Sequence, residues 1–243
     1  MRGLYRIADK TIEILTLHPD THALCAAYRT QGEIDFSVRT AQADVDFERA
    51  RSAREAEYEN LAARTFSDGY LETLAVCRAV AEKMPQYDTL LMHGSCICAD
   101  GAAYLFTAKS GVGKSTHTRL WREYLGDRAV MVNDDKPFLR ITPEGVMACG
   151  SPWDGKHHLS SNITVPLRGL CILERAQTNV IRPVTAREAY PVLLQQAYRP
   201  MQAAALEKTA VLLDRLCADT ALWRLGCNMD IEAAKIASAA MLG

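Results

Sequence analysis

Nothing in this chain of 243 residues approaches the roughly 20 consecutive apolar residues of a membrane-spanning helix. The N-terminal MRGLYRIADKTIEIL has neither a long apolar run nor the layout of a signal peptide, so a cytoplasmic protein is expected. An excess of one charge is lacking as well: 28 Lys and Arg stand against 29 Asp and Glu, a formal net charge of −1. That balance gives no general attraction toward nucleic acid or an anionic membrane, and neither is expected as a partner. The C-x-x-C spacing is also missing. Eight cysteines (Cys25, Cys77, Cys96, Cys98, Cys149, Cys171, Cys217, Cys227) fall instead inside apolar helix and strand patterns. Cys96 and Cys98 alternate along a strand and would face one side, but two ligands do not make a zinc site; reduced thiols packed as small hydrophobes are expected. With 49% hydrophobic and 23% charged residues, the chain has ample material for a globular core.

What the sequence does contain is concentrated in GAAYLFTAKSGVGKST, residues 101–116. A short apolar strand, Ala102 to Phe106, runs into a loop ending Ser110-Gly111-Val112-Gly113-Lys114-Ser115-Thr116, and a helix comes next. Holding a triphosphate requires these residue types in this order. Glycines let consecutive backbone N–H groups turn inward on the phosphates, a lysine neutralises the β/γ charge, and a hydroxyl ligates Mg²⁺. This is the P-loop pattern, and Ser110 to Thr116 are its expected nucleotide-binding residues. The first glycine of G-x-x-x-x-G-K-[ST] is absent: Ala108 holds its place, which the backbone accepts if φ stays negative there.

Upstream, YRIADKTIEILTL reads as strand and Ile34 to Val38 as a second short one. A charge-rich helix is expected from Asp44 to Ala63 with its charged face in solvent, and another after Ser67, stopped by Pro85. Residues 89–99 read as one strand, which Asp100-Gly101 turns back into the motif strand as a β-hairpin. After the motif, a helix to Gly126 and a strand from Ala129 to Val132 lead to Asn133-Asp134-Asp135, with Asp134 twenty residues beyond Lys114. A carboxylate at that strand end can reach the metal that the loop hydroxyl holds. Strands at Pro137 to Ile141 and Val146 to Cys149 come next, then a polar loop, GSPWDGKHHLSSNITVP, whose Trp153, Lys156, His157 and His158 could close on substrate. A strand at 167–173 and a mostly helical remainder, its last helix capped by Asp230, complete the chain.

Taken together, four features resemble the catalytic domain of the HPr kinase/phosphorylases, itself similar to the nucleotide-binding half of phosphoenolpyruvate carboxykinases. They are His93-Gly94 opening a hairpin, Ser110 to Ser115, Asp134-Asp135 ending the next strand, and Arg168-Gly169-Leu170 on a later one. The resemblance spans roughly residues 89–175. It implies an α/β fold with a P-loop core of that type: a mixed sheet, a β-hairpin before the P-loop, and an α+β N-terminal extension. Residues 1–88 would form the extension and 89–243 a kinase-like domain with a helical C-terminal part. It also implies roles. Lys114 and the backbone of Ser110 to Gly113 would hold ATP, Ser115 and Asp135 would ligate Mg²⁺, Asp134 would accept the proton of an attacking hydroxyl, and His93 would lie near Asp134 and tune it. Thr116 stands where the family commonly has Glu.

The resulting expectation is a kinase that uses ATP and Mg²⁺ to phosphorylate a hydroxyl, on a serine of a peptide or protein or on a small-molecule alcohol. A non-catalytic nucleotide sensor or scaffold is the alternative, and Asp134, a base that binding alone would not need, favours the kinase. The sequence leaves self-association into a homo-oligomer open.

Overall fold

The computed structural model describes residues 1–58, 62 and 65–243, and the chain divides into two compact units, Met1–Ala81 and Glu82–Gly243. In the first, β1 (Arg2–Ile7) and β2 (Lys10–Leu15) form a hairpin, and β3 (Phe36–Arg39) joins β2 in parallel. The expected single stretch YRIADKTIEILTL is thus two strands, turned at Ala8-Asp9, where both residues have positive φ (47° and 68°) as a tight hairpin turn demands. A short helix α1 (Asp20–Leu24), α2 (Gln42–Tyr58) and α3 (Asp68–Lys83) accompany the sheet. Most of α2 is exposed, in keeping with its charge-rich sequence; the end of the expected helix, toward Ala63, lies outside the described residues. Glu72 is buried with its carboxylate fully compensated. Glu72 accepts from Leu17 N, His18 N and Thr40 Oγ1 at 2.7, 2.7 and 2.5 Å.

The second unit is α/β with a mixed, curled nine-stranded sheet. Its strands are β4 (Thr89–Leu91), β5 (Ser95–Ala99), β6 (Ala102–Thr107), β7 (Ala129–Asn133), β8 (Phe138–Thr142), β9 (Gly145–Cys149), β10 (Thr164–Arg175), β11 (Val180–Pro183) and β12 (Ala221–Cys227). The order is β4-β8-β9-β10-β6-β5-β7, with β12 on β10 and β11 on β12. The long β10 makes the curl: its first residues pair with β9, and its later ones run parallel to β6 and β12. Side chains alternate across the sheet. Leu105, Leu170 and Ile172 enter one apolar cluster with Leu193, Leu212 and Leu216 of α5 (Ala186–Gln196) and α6 (Ala203–Asp219). Phe106, Cys171 and Leu173 enter another with Trp121 of α4 (Lys114–Leu125) and Ala237 of α7 (Ile231–Leu242). Burial on both faces explains why these strands read as apolar runs rather than clean alternations.

One expectation is corrected here and another is extended. Residues 89–99 are not one strand: Met92 to Gly94 leave the sheet line, and β4 pairs with β8 while β5 pairs with β6 and β7. The break is held by backbone bonds from Met92 N to Pro137 O, His93 N to Gln196 O and Gly94 N to Asp135 O. The fit around Gly94 is tight, since a Cβ there would stand 2.7 Å from Leu105 Cδ1 and 3.0 Å from the backbone oxygen of Phe106. The tail is mostly helical, as expected, through α5, α6 and α7, and it also contributes the strands β11 and β12. ALWRLGC is short and nearly continuously apolar, a pattern that periodicity cannot separate from a buried helix turn. Asp230 does occupy the N-cap of α7, but its side chain makes no cap bond and instead accepts from Asn228 Nδ2 at 2.9 Å. All eight cysteines are free thiols, six of them buried.

Candidate functional site

The turn between β6 and α4 is shaped by its glycines. Val112 N donates to Lys109 O at 3.3 Å, closing a four-residue turn whose third residue, Gly111, has φ 77°, the left-handed value a type II turn requires. Gly113, the N-cap of α4, has φ 123° and carries no side chain to cap the first-turn N–H groups, which are left for a ligand. Ala108 is buried and lies outside the positive-φ residues, so its methyl group sits where a negative φ permits it. Lys114 is 8% exposed, and its Nζ donates to Ala108 O at 3.0 Å. Burial lowers its pKa, opposed by the carboxylates of Asp135 and Asp134. Behind the loop, α4 is anchored by Trp121, which is edge-on to Phe106 with centroids 5.1 Å apart.

Facing the loop, β7 ends at Asn133, whose buried amide ties together the two segments beyond it. Its Oδ1 accepts from Asp135 N and Lys136 N at 2.8 and 2.6 Å, and its Nδ2 donates to Ser151 O, Ser151 Oγ and Trp153 O at 2.9, 3.1 and 3.3 Å. The two aspartates then diverge. Asp134, buried, accepts from Ser95 Oγ at 2.6 Å, and Ser95 in turn meets Thr118 of α4 at 2.7 Å. Asp135 turns the other way: its Oδ1 is 3.6 Å from His93 Nε2, and its Oδ2 pairs with Lys136 Nζ. The carboxylate beside His93 is therefore Asp135, not Asp134 as the resemblance implied. Successive residues leaving a strand point in different directions, and Asp134 takes the side facing α4. Gln196 Oε1 accepts from His93 Nδ1 at 2.9 Å, which directs Nε2 at Asp135. Burial first, and then the Lys114 charge, lower the His93 pKa, with Asp135 opposing.

These groups line one cleft of about 530 Å³. Of the residues expected from sequence, His93, Ser110, Gly111, Gly113, Lys114, Ser115, Thr116, Asp134 and Asp135 border it. Val112 does not; its side chain packs against the apolar cluster under the loop. The opposite wall is the short 3₁₀ turn Gly155–His157, inside the polar loop that links β9 to β10. Gly155 lies so close to Asp135 that a Cβ there would be 3.1 Å from the Asp135 Cβ, and its φ is 71°. The turn is braced by Asp154, which accepts from Ser160 Oγ at 2.9 Å and lies 3.2 Å from His158 Nδ1. Trp153 faces inward, 4% exposed and edge-on to Phe138. Sequence reasoning missed Gln196, Ser95 and the bridging amide of Asn133; only Asn133, adjacent to the aspartates, carried any local signal.

No family model matches the chain, and no curated protein matches it by sequence. Among solved structures it is similar to the Hpr(Ser) kinase/phosphatase from Coxiella burnetii. The identity is 14%, the match covers 52% of this chain and 96% of that one, and the TM-score is 0.31.

Chemically, the cleft offers two different surfaces. On one side a helix N-terminus, glycine amides and a desolvated lysine converge, a combination suited to a polyanion. On the other, two carboxylates stand close to the Ser115 hydroxyl's loop, an all-oxygen donor set of the hard kind that Mg²⁺ takes. Among the described residues no cluster of three or more His, Cys, Asp or Glu side chains is placed to hold a metal by itself. A cation here would thus complete its shell with phosphate oxygens and water. No helix among the described residues is long and apolar enough to cross a membrane.

Proposed function

We propose that this protein is an ATP- and Mg²⁺-dependent phosphotransferase that moves a γ-phosphoryl group to a hydroxyl acceptor. The observation that carries this reading is the meeting, in one cleft, of the glycine loop and Lys114 with two aspartates that diverge from the end of the neighbouring strand. Lys114 and the amides from Ser110 to Gly113, with those opening α4, hold the phosphates, and Ser115 supplies a metal ligand. Bound Mg²⁺ supplies charge neutralisation at the phosphates. Geometry favours dividing the aspartates in the reverse of the resemblance. Asp134 stands toward α4 through Ser95 and Thr118, which suits the metal side; Asp135 stands beside His93 and the Gly155–His157 wall, which suits the acceptor proton. The acceptor is a serine-type hydroxyl on a peptide, a protein or a small molecule.

Calorimetry with ATP, with and without Mg²⁺, is the first test, followed by transfer from γ-labelled ATP to acceptors in a lysate. Lys114→Ala should abolish or severely weaken ATP binding in a folded protein. Asp134→Asn should remove the Mg²⁺-dependent part of the affinity, while Asp135→Asn should bind normally and lose transfer by about 10²–10⁴-fold, the usual cost of a missing general base. Undiminished ATP affinity in folded Lys114→Ala would refute the site. Binding without transfer to any acceptor would replace the kinase with a nucleotide sensor.

A further inference from the structure

Parallel strands β6 and β10 do not end level. Ile172 pairs with Thr107, where β6 gives way to the glycine loop, and β10 continues to Arg175. The overshoot carries Arg175 alongside the loop, at the carboxyl ends of the parallel strands, where α/β sheets bind their ligands. There its Nη2 donates to the carbonyl of Gly111. That carbonyl belongs to the left-handed residue of the Lys109–Val112 turn, the point at which peptide planes must face outward if their neighbours' N–H groups are to face the cleft. Gly111, at φ 77°, is the conformationally permissive residue of the turn, and the backbone bond that closes it, Val112 N to Lys109 O, is long at 3.3 Å, so a further tether has an ordering task to perform there. Arg175 makes no ion pair among the described residues, and its neighbour Glu174 is engaged by Arg224.

From this we infer that Arg175 is a positioning residue for the anion site, tethering the Gly111 carbonyl so that the loop amides are aligned before a ligand arrives. The inference rests on the nucleotide reading above only for the identity of the ligand. A loop already ordered does not spend binding energy on ordering itself, so the tether should act equally on every ligand that uses the loop.

The test uses the full chain. ATP·Mg²⁺ and inorganic pyrophosphate are titrated calorimetrically into wild type, Arg175→Ala and Arg175→Lys, and hydrogen exchange of the 109–113 amides is measured in the ligand-free proteins. Arg175→Ala should lose about tenfold in affinity for both ligands, by a similar factor, as expected for one charge-assisted hydrogen bond to the loop. Its loop amides should exchange faster without ligand while the melting temperature stays that of wild type. Three results would overturn the inference: affinities within twofold of wild type, a loss of affinity with unchanged loop exchange, or full recovery of affinity by lysine without recovery of loop protection. If wild type binds neither ligand, the nucleotide reading fails instead, and loop exchange in Arg175→Ala alone decides whether the tether exists.

Discussion

Removing the side chain of Asn133 is the perturbation that probes the site's scaffold most directly. It is fully buried and joins three segments, β7, the Asp135-Lys136 backbone and the Ser151–Trp153 stretch, through five hydrogen bonds. At a net 0.5–1.5 kcal/mol each, five bonds would sum to about 2.5–7.5 kcal/mol. Two corrections pull that down. Two amide hydrogens are shared among three acceptors, and Asp135 and Lys136 are only half-buried, so water can replace the lost oxygen at their amides. Ser151 and Trp153 are buried, so their carbonyls have no such recourse. Asn133→Ala should therefore destabilise the protein by about 2–4 kcal/mol, measured as a lower urea midpoint at unchanged slope. Asn133→Asp keeps the two acceptor bonds but turns a charge toward Ser151 and Trp153 oxygens, and should be no better than alanine. A loss below about 1 kcal/mol in both variants would refute the claim that this amide holds the aspartate wall in place.

Other outcomes are expected elsewhere in the molecule. His117 is 2% exposed, its Nε2 accepts from Trp121 Nε1 at 3.1 Å, and burial pushes its pKa down to about 4. Between about pH 6.5 and 4 the unfolded chain takes up a proton that the folded one refuses, so stability falls with pH across that window by about 3 kcal/mol. His117→Phe should flatten this part of the pH–stability curve, and an unchanged curve would show that the imidazole is not neutral in the fold. Ala108→Gly, which restores the motif's usual glycine, should leave ATP affinity unchanged and cost about 1 kcal/mol in thermal unfolding through a lost buried methyl and added chain entropy; a gain in affinity would mean that Ala108 distorts the loop.

The parts of the site legible in the sequence are those where backbone conformation dictates residue type. Gly111 and Gly113 hold φ values that other residues rarely adopt, and the Asp100-Gly101 turn, with φ of 50° and 82°, is the hairpin that its dipeptide announces. The Asp134-Asp135 pair was legible because an apolar strand that stops on carboxylates behind a glycine loop has few purely structural uses. The direction of each carboxylate was not. It depends on His93 and Ser95 of the β4–β5 link, Thr118 of α4 and Gly155 of the polar loop, three separate places in the chain, and no local pattern encodes which of two adjacent side chains meets which partner. The strands β11 and β12 were hidden for a different reason: β11 is four residues long and mostly exposed, β12 has two buried positions in seven, and neither shows the strict alternation that identifies a strand.

The His93–Gln196 pair shows what kind of information the sequence withholds. The two residues are 103 positions apart, yet they are joined twice, through His93 N to Gln196 O at 2.8 Å and through the imidazole and amide at 2.9 Å. The backbone bond fixes where the strand breaks after β4, and the side-chain bond fixes which ring nitrogen faces Asp135. Neither residue type is required by the local chain conformation; each is required by the other. A histidine at a strand end and a glutamine ending an amphipathic helix are individually ordinary, and only the meeting of the end of α5 with the β4–β5 link makes them one hydrogen-bonded pair. Chemistry-bearing residues of this kind become visible from the fold, because their significance lies in a pairing and not in a spacing.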